Sequence, residues 1–241
     1  MEEPKLIDVY GKAIIDYFMG EKSKIITYST VGGKDELPVA HLFRTYEKMP
    51  EIEKVALDIT KGRVLDIGCG AGSHSLFLQE KDHLVKAIDI SEGAIQICKK
   101  RGLKNAEVMN LWDLKSEKFD TILSLMNGAG ICGSLGMLPN FMGHLKSLLN
   151  PNGQVLIDSS DIIYMFEDED GEVDHPAADH YYGEVEFNLQ YKKVKSGPFP
   201  WLYVDFYNLK HQAEASGFEC KLIHKGEHYD YLAQLTIASG E

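Results

Sequence analysis

Basic residues are in deficit: 25 Lys and Arg stand against 37 Asp and Glu, a formal net charge of -12. That balance works against non-specific attraction to phosphate backbones and anionic membrane surfaces, so nucleic acid is a poor candidate partner. Cysteine is scarce. Cys69, Cys98, Cys132 and Cys220 show no paired spacing, which speaks against a disulfide framework and a Cys-x-x-Cys zinc site and fits a reducing cytoplasm. No apolar run approaches the roughly 18 residues that span a bilayer, and the acidic opening Met1-Glu2-Glu3-Pro4 is unlike a secretion leader. The expected location is therefore the cytoplasm, with no membrane partner. Repeats and low-complexity tracts are missing too; one acidic cluster, Glu167 to Asp174, reads as an exposed loop. What remains is an ordinary globular composition, 44% hydrophobic and 26% charged over 241 residues, enough for one substantial core.

Leu6 to Met19 carries apolar residues at helical spacing and is followed by Gly20, a left-handed stop. Ser23 to Val31 reads as extended, and Pro50 opens a helical segment, Glu51 to Ile59. Residues 1–60 are read as an N-terminal cap. From Arg63 the pattern changes to short β-branched runs alternating with helical stretches, the mark of a parallel sheet with crossover helices. The expected strands are Val64 to Ile67, Leu84 to Ile88, Ala106 to Met109, Thr121 to Leu125 and Gln154 to Ile157. The expected helices are Ser73 to Glu80, Glu92 to Arg101 and Leu138 to Leu149, and Pro151-Asn152-Gly153 reads as a turn. Gly183 to Val194 then alternates at period two, Ser196-Gly197-Pro198 punctuates it, and Trp201 to Phe206 reads as the returning strand, an inserted hairpin at about 181–206. Asn208 to Ser216 reads as a helix, and Cys220 to His224 with Tyr231 to Ala238 as a closing hairpin. The predicted division is a cap (1–60) and a ligand-binding α/β domain (61–241) that carries the insert.

The chemistry begins at Val64-Leu65-Asp66-Ile67-Gly68-Cys69-Gly70-Ala71-Gly72, a buried strand running into a glycine-rich turn that opens a helix. In that geometry backbone N–H groups meet a nucleotide-type ligand closely. Asp89 ends the next strand, where a carboxylate accepts from two ribose hydroxyls. A dinucleotide site wants G-x-G-x-x-G, and here Ser73 stands where its third glycine belongs. Asp66 adds a charge that repels a pyrophosphate but suits a ligand with an ammonium and a sulfonium. S-adenosylmethionine has both cations.

With these residues the chain resembles the class I S-adenosylmethionine-dependent methyltransferases. Phe119-Asp120-Thr121-Ile122-Leu123-Ser124, Leu148-Leu149-Asn150-Pro151-Asn152-Gly153-Gln154 and Ala215-Ser216-Gly217-Phe218 resemble further motifs of that family, in family order. The resemblance implies a Rossmann-like, mostly parallel seven-stranded sheet with an antiparallel final strand and the cofactor across the C-terminal strand ends. It also implies that Gly68, Gly70 and Gly72 line the methionine part, with Asp66 near its ammonium and Asp89 on the ribose. Asn110, Leu111 and Trp112 match adenine-contact positions, although many relatives have Asp in place of Asn110. Met126 and Asn127 would face the sulfonium side.

Magnesium-dependent relatives use carboxylates at the fourth and fifth strand ends; Asn127, Asp158 and Asp161 make an incomplete set, and no metal is expected. A calcium-loop register on Gly171 fails at Phe166 and Ala177, and Asp174-His175 with Asp179-His180 read as solvated loop residues. Aromatic residues are in surplus in the insert (Tyr181, Tyr182, Trp201, Tyr203) and final turn (His228, Tyr229, Tyr231), either as a substrate pocket or as hairpin packing. Tyr28, Arg44 and Tyr46 are candidate lid residues, with ion pairing as the plain alternative for Arg44. No motif names a general base; His228 and Asp158 are the candidates. The expected function is methyl transfer to a small molecule by in-line displacement. The alternatives are a non-catalytic S-adenosylmethionine-binding scaffold or sensor, a nicotinamide enzyme and an RNA methyltransferase.

Overall fold

The computed structural model describes residues 7–167 and 180–238; most of the acidic cluster and the Asp174-His175 pair lie outside them. Strand β3 (Arg63–Ile67) is buried from Val64 onward, a run whose one polar residue is Asp66. Burial on both faces is the signature of a central parallel strand. It pairs in parallel with β4 (Leu84–Asp89) and β6 (Phe119–Ser124), β4 with β5 (Ala106–Val108), and β6 with β7 (Leu149–Ser160). The closing hairpin, β10 (Phe218–Lys225) and β11 (Asp230–Ile237), joins through β11, which runs antiparallel to β7. The order is β10-β11-β7-β6-β3-β4-β5, the seven-stranded, mostly parallel sheet that the resemblance implied.

Alternation along the strands divides the core in two. Leu65, Ile122, Val155 and Ala233 pack against helices α5 (Leu138–Ser147) and α6 (Phe206–Ala215), while Val64, Leu123, Leu156 and Leu232 pack against α2 (Glu51–Asp58) and α3 (Ser73–Glu80). Helix α4 (Glu92–Lys100) starts on Ser91, whose Oγ accepts from the Ala94 N–H, and buries Ile95 and Cys98 beside Ala87. Among the described residues no helix is long and apolar enough to cross a membrane.

The cap and the insert are joined by a second sheet. Strands β1 (Lys24–Ser29) and β2 (Gly33–Pro38) form a hairpin, and β1 also pairs with β8 (Glu184–Tyr191), which pairs with β9 (Val194–Leu202). The order β2-β1-β8-β9 is antiparallel throughout. Strand β2 escapes sequence reading because Gly-Lys-Asp-Glu-Leu-Pro has no apolar alternation; it is an edge strand with a largely exposed surface. Two turn assignments need correction. Ser196-Gly197-Pro198 lies within β9, and the chain reverses at Lys192, whose φ is +53°. An edge strand tolerates proline, and the register shift between Asn188 and Gln190 absorbs Gly197. Likewise β7 begins at Leu149, and the Pro151-Asn152-Gly153 segment is an irregularity inside it, with Asn152 at φ +63°.

Helix α1 (Val9–Phe18) docks on α4. Asp8 caps α1 through the Gly11 N–H (2.7 Å) and also accepts from Ser91 Oγ and the Gly93 N–H, both at 3.0 Å. The helices touch at two glycines: a Cβ on Gly93 would lie 2.6 Å from Gly11 Cα. The expected result of Gly93→Ala is a displaced α1 and a loss of about 1–3 kcal/mol of stability, read as a lower midpoint in urea unfolding.

Candidate functional site

The C-terminal ends of β3 to β7 form one rim, the usual ligand side of an open α/β sheet. At β3 the chain turns through Gly68, Gly70 and Gly72 with φ of +68°, +54° and +81°, the left-handed region that glycine enters without steric cost. These glycines differ in what surrounds them. A Cβ on Gly72 would sit 2.9 Å from Cys98 Sγ, whereas one on Gly70 would meet nothing within 4 Å. Gly72 is therefore a packing glycine, and Gly70 borders open space. Asp89, half-buried at the end of β4, accepts from the Gly70 N–H at 2.9 Å and the Ser91 N–H at 2.8 Å, and burial raises its pKa. Capping of α4 belongs to Ser91, so Asp89 is placed at the turn rather than on the helix.

Asp66 lies beneath the turn. It is 2% exposed, accepts from Ser75 Oγ at 2.5 Å, and burial raises its pKa. After β5, Asn110 is exposed and its Oδ1 accepts from the Trp112 N–H at 3.1 Å, Leu111 is buried, and half-buried Trp112 packs edge-on against Phe141 and beside His144. The amide of Asn110 keeps its N–H donors, while its carbonyl is engaged in the turn.

After β6, Met126 and Asn127 take φ of +66° and +59°, two consecutive non-glycine residues in left-handed conformation. Such strain persists only where neighbours over-determine it. Asp158 of β7 supplies that restraint: its Oδ2 accepts from the Met126 N–H at 3.1 Å and its Oδ1 from the Gly128 N–H at 2.8 Å. The Asn127 side chain is held in turn by Ser159 Oγ (3.1 Å) and the Leu202 carbonyl (3.3 Å). Burial pushes the Asp158 pKa up to about 6. Both Asp158 oxygens thus face loop N–H groups.

Of the cap candidates, Arg44 takes its plain alternative, an ion pair, while the roles of Glu53, His74 and Tyr10 carry no sequence signal. Arg44 and Glu53 form a buried ion pair that His74 completes, with Nε2 at 2.7 Å from Glu53 Oε2; burial works to raise the Glu53 pKa, but His74 and Arg44 bring it below the ordinary value. Tyr10, half-buried on α1, lies close enough to Asp89 and Arg44 for both charges to act on its phenol, whose pKa burial raises. Each of these side chains comes from a different segment, so spacing along the chain does not reveal them. The other cap candidates sit elsewhere. Tyr46 stacks on Phe77 and donates to Asp58, and Tyr28 is exposed.

Beside the β7 end is a cavity of about 360 Å³ walled by the small sheet. Its lining includes Thr27, Asp35, Ser160, Tyr164, Tyr203 and His228. Of the surplus aromatic residues, Tyr203 and His228 line it. Tyr181 donates to Asp205 (2.6 Å), Tyr182 to Asp161 (2.8 Å) and Tyr231 to the Val204 carbonyl (2.8 Å), and Trp201 lies so close to Gly130 that a Cβ there would be 2.0 Å from its Nε1. Tyr229 stacks on Tyr164. Among the described residues no group of three or more His, Cys, Asp and Glu is placed to hold a metal ion.

A family model described as a methyltransferase domain matches residues 40–222. A solved S-adenosylmethionine-dependent methyltransferase from Bacteroides fragilis, in complex with S-adenosyl-L-homocysteine, is similar at 45% identity and TM-score 0.90, over 98% of each chain. More distant structures share the fold. The CcbJ methyltransferase from Streptomyces caelestis matches at 13% identity and TM-score 0.58, over 80% of this chain and 95% of that one. The sugar N-methyltransferase KedS8 from Streptoalloteichus matches at 13% and 0.55, over 78% and 85%. The glycine turn, Asp89 and the strand order already point the same way, and with the family match they establish that this chain belongs to the class I S-adenosylmethionine-dependent methyltransferases.

Proposed function

We propose that this protein methylates a small molecule, with cofactor held along the β3 to β6 rim and acceptor in the adjoining cavity. The observation that carries this reading is the open space above Gly70 next to the Asp89 carboxylate. A carboxylate at that place suits a ribose diol, and the left-handed turn leaves room for the rest of the ligand. Gly68 and Gly70 would border the methionine part, with Gly72, expected there from the sequence, packing the turn against Cys98 instead; Asn110, Leu111 and Trp112 would border the adenine, and Met126 and Asn127 the reacting side. Asp66 would act from below, by its charge and its hold on Ser75. When bound, the cofactor supplies a methyl group already activated by a sulfonium.

The chain's own task is then orientation and exclusion of water. Asp158, with both oxygens engaged, acts in this reading as a positioning residue for Met126 and Asn127, and not as the base. His228 is exposed at the cavity and is a group available to take a proton there.

Asp89→Ala is expected to weaken S-adenosylmethionine binding by about 1.5–3 kcal/mol through loss of hydrogen bonds to a charged acceptor. Isothermal calorimetry reads this directly, and unchanged affinity removes Asp89 from the site. Release of S-adenosylhomocysteine across a broad metabolite panel tests transfer itself; binding without turnover on any compound favours the scaffold or sensor.

A further inference from the structure

The acceptor cavity has a charge pattern that narrows its ligand. Resting on the proposed function, we infer that it takes a small ring-bearing amine in its protonated form, recognised by Asp35 and a surrounding aromatic wall. Strand register decides which side chains face inward. Thr27 is paired with Asp35 and Ser29 with Phe187, so these four share the face that borders the cavity. Glu36 also borders the cavity, but it lies in the other register, paired with Ile26, and Lys24 holds its carboxylate at 2.6 Å. Its charge is matched there, and that of Asp35 is not: its Oδ1 accepts only from the Glu36 N–H at 2.7 Å, and no ion pair reaches it among the described residues.

The rest of the lining agrees. Tyr164, Phe187 and Tyr203 line it with aromatic rings, Met165 is the thioether and Thr27, Ser29 and Ser160 are the hydroxyl residues of the lining, while no Lys or Arg borders the cavity among the described residues. Aromatic faces attract cations, and an unpaired carboxylate does so at longer range. An acceptor with a carboxylate or phosphate would meet Asp35 with no compensating cation. The cavity volume, about 360 Å³, falls at the lower end for small-molecule sites, which suits a single ring with a short amine arm.

The cavity also adjoins the reacting corner, since Ser160 shares a face of β7 with Asp158, which accepts from the Met126 N–H. An ammonium must lose a proton before its nitrogen accepts a methyl group. The freed lone pair forms the C–N bond as the C–S bond breaks and its pair stays on sulfur, and the proton passes to His228 or water.

Calorimetry on the full chain saturated with S-adenosylhomocysteine tests this without turnover. The probes are tyramine, tryptamine and glucosamine, each set against its counterpart 4-hydroxyphenylacetate, indole-3-acetate or glucose. At least one amine is expected to bind ten-fold or more tightly than its counterpart. Asp35→Asn, which keeps the acceptor for the Glu36 N–H, is expected to weaken that amine about ten-fold while leaving S-adenosylhomocysteine affinity unchanged. Equal or tighter binding of the counterparts, no binding by any probe, or an Asp35→Asn variant with unaltered amine affinity overturns the assignment. S-adenosylhomocysteine binding separates the two layers. Without it the proposed function falls as well; with it, only the amine does.

Discussion

Asp158→Ala is expected to lose about 2–4 kcal/mol of stability and at least a hundred-fold in turnover. The substitution strips the acceptor from the Met126 and Gly128 N–H groups at once, and buried donors left unpaired cost about 1–3 kcal/mol each. Relief of a buried charge offsets part of that loss. The larger effect falls on activity, because two consecutive left-handed residues lose the carboxylate that holds the Met126 and Gly128 N–H groups and relax toward ordinary φ. Denaturant unfolding and S-adenosylhomocysteine release measure the two consequences. Asp158→Asn, which restores one acceptor, is expected to fall between wild type and Ala in both.

The same carboxylate has a pH signature. Its folded pKa of about 6 lies above the ordinary value of 3.8, so the folded state binds the proton more tightly than the unfolded chain does. The associated stability is fully present below the ordinary value and is lost as pH rises through 6. The stability difference between wild type and Asp158→Asn is therefore expected to shift by about 2 kcal/mol against wild type from pH 4 to pH 7. A difference independent of pH contradicts the buried, raised carboxylate.

Gly70→Val is expected to abolish measurable cofactor binding, a weakening of at least about 100-fold, while the fold survives. The Cβ position itself is clear, with nothing within 4 Å. The remaining cost is backbone strain at φ +54°, about 1–2 kcal/mol, or a few degrees in melting temperature. The contrast is Gly72→Val. There the Cβ meets Cys98 Sγ at 2.9 Å, and the larger loss is expected in stability. Calorimetry and thermal unfolding on both variants separate a ligand-facing glycine from a packing one. Gly70→Val with wild-type affinity would place the cofactor elsewhere.

Much of the rim is legible in the sequence because its signals are local. A β-branched strand followed by Gly68-Cys69-Gly70-Ala71-Gly72 and answered by Asp89 requires only chain direction and backbone sterics to be read. The small sheet resists such reading. Strand β2 has no apolar alternation to mark its local hairpin with β1, and β1 pairs with β8 across about 160 residues of chain. The misplaced hairpin turn has a similar origin: Ser196-Gly197-Pro198 is turn-like by composition, yet an edge strand with a bulge accommodates it.

The sequence by itself determined the parallel α/β order, the glycine turn and the carboxylate that faces it, because strand period, turn chemistry and helix caps act over a few residues. Only the tertiary structure decided that Asp66 lies beneath the turn, that Asp158 restrains Met126 and Asn127, and that Lys24 pairs with Glu36 while no cation among the described residues pairs with Asp35 at the cavity. Those outcomes depend on burial and on strand register between distant segments, and no spacing along the chain encodes either.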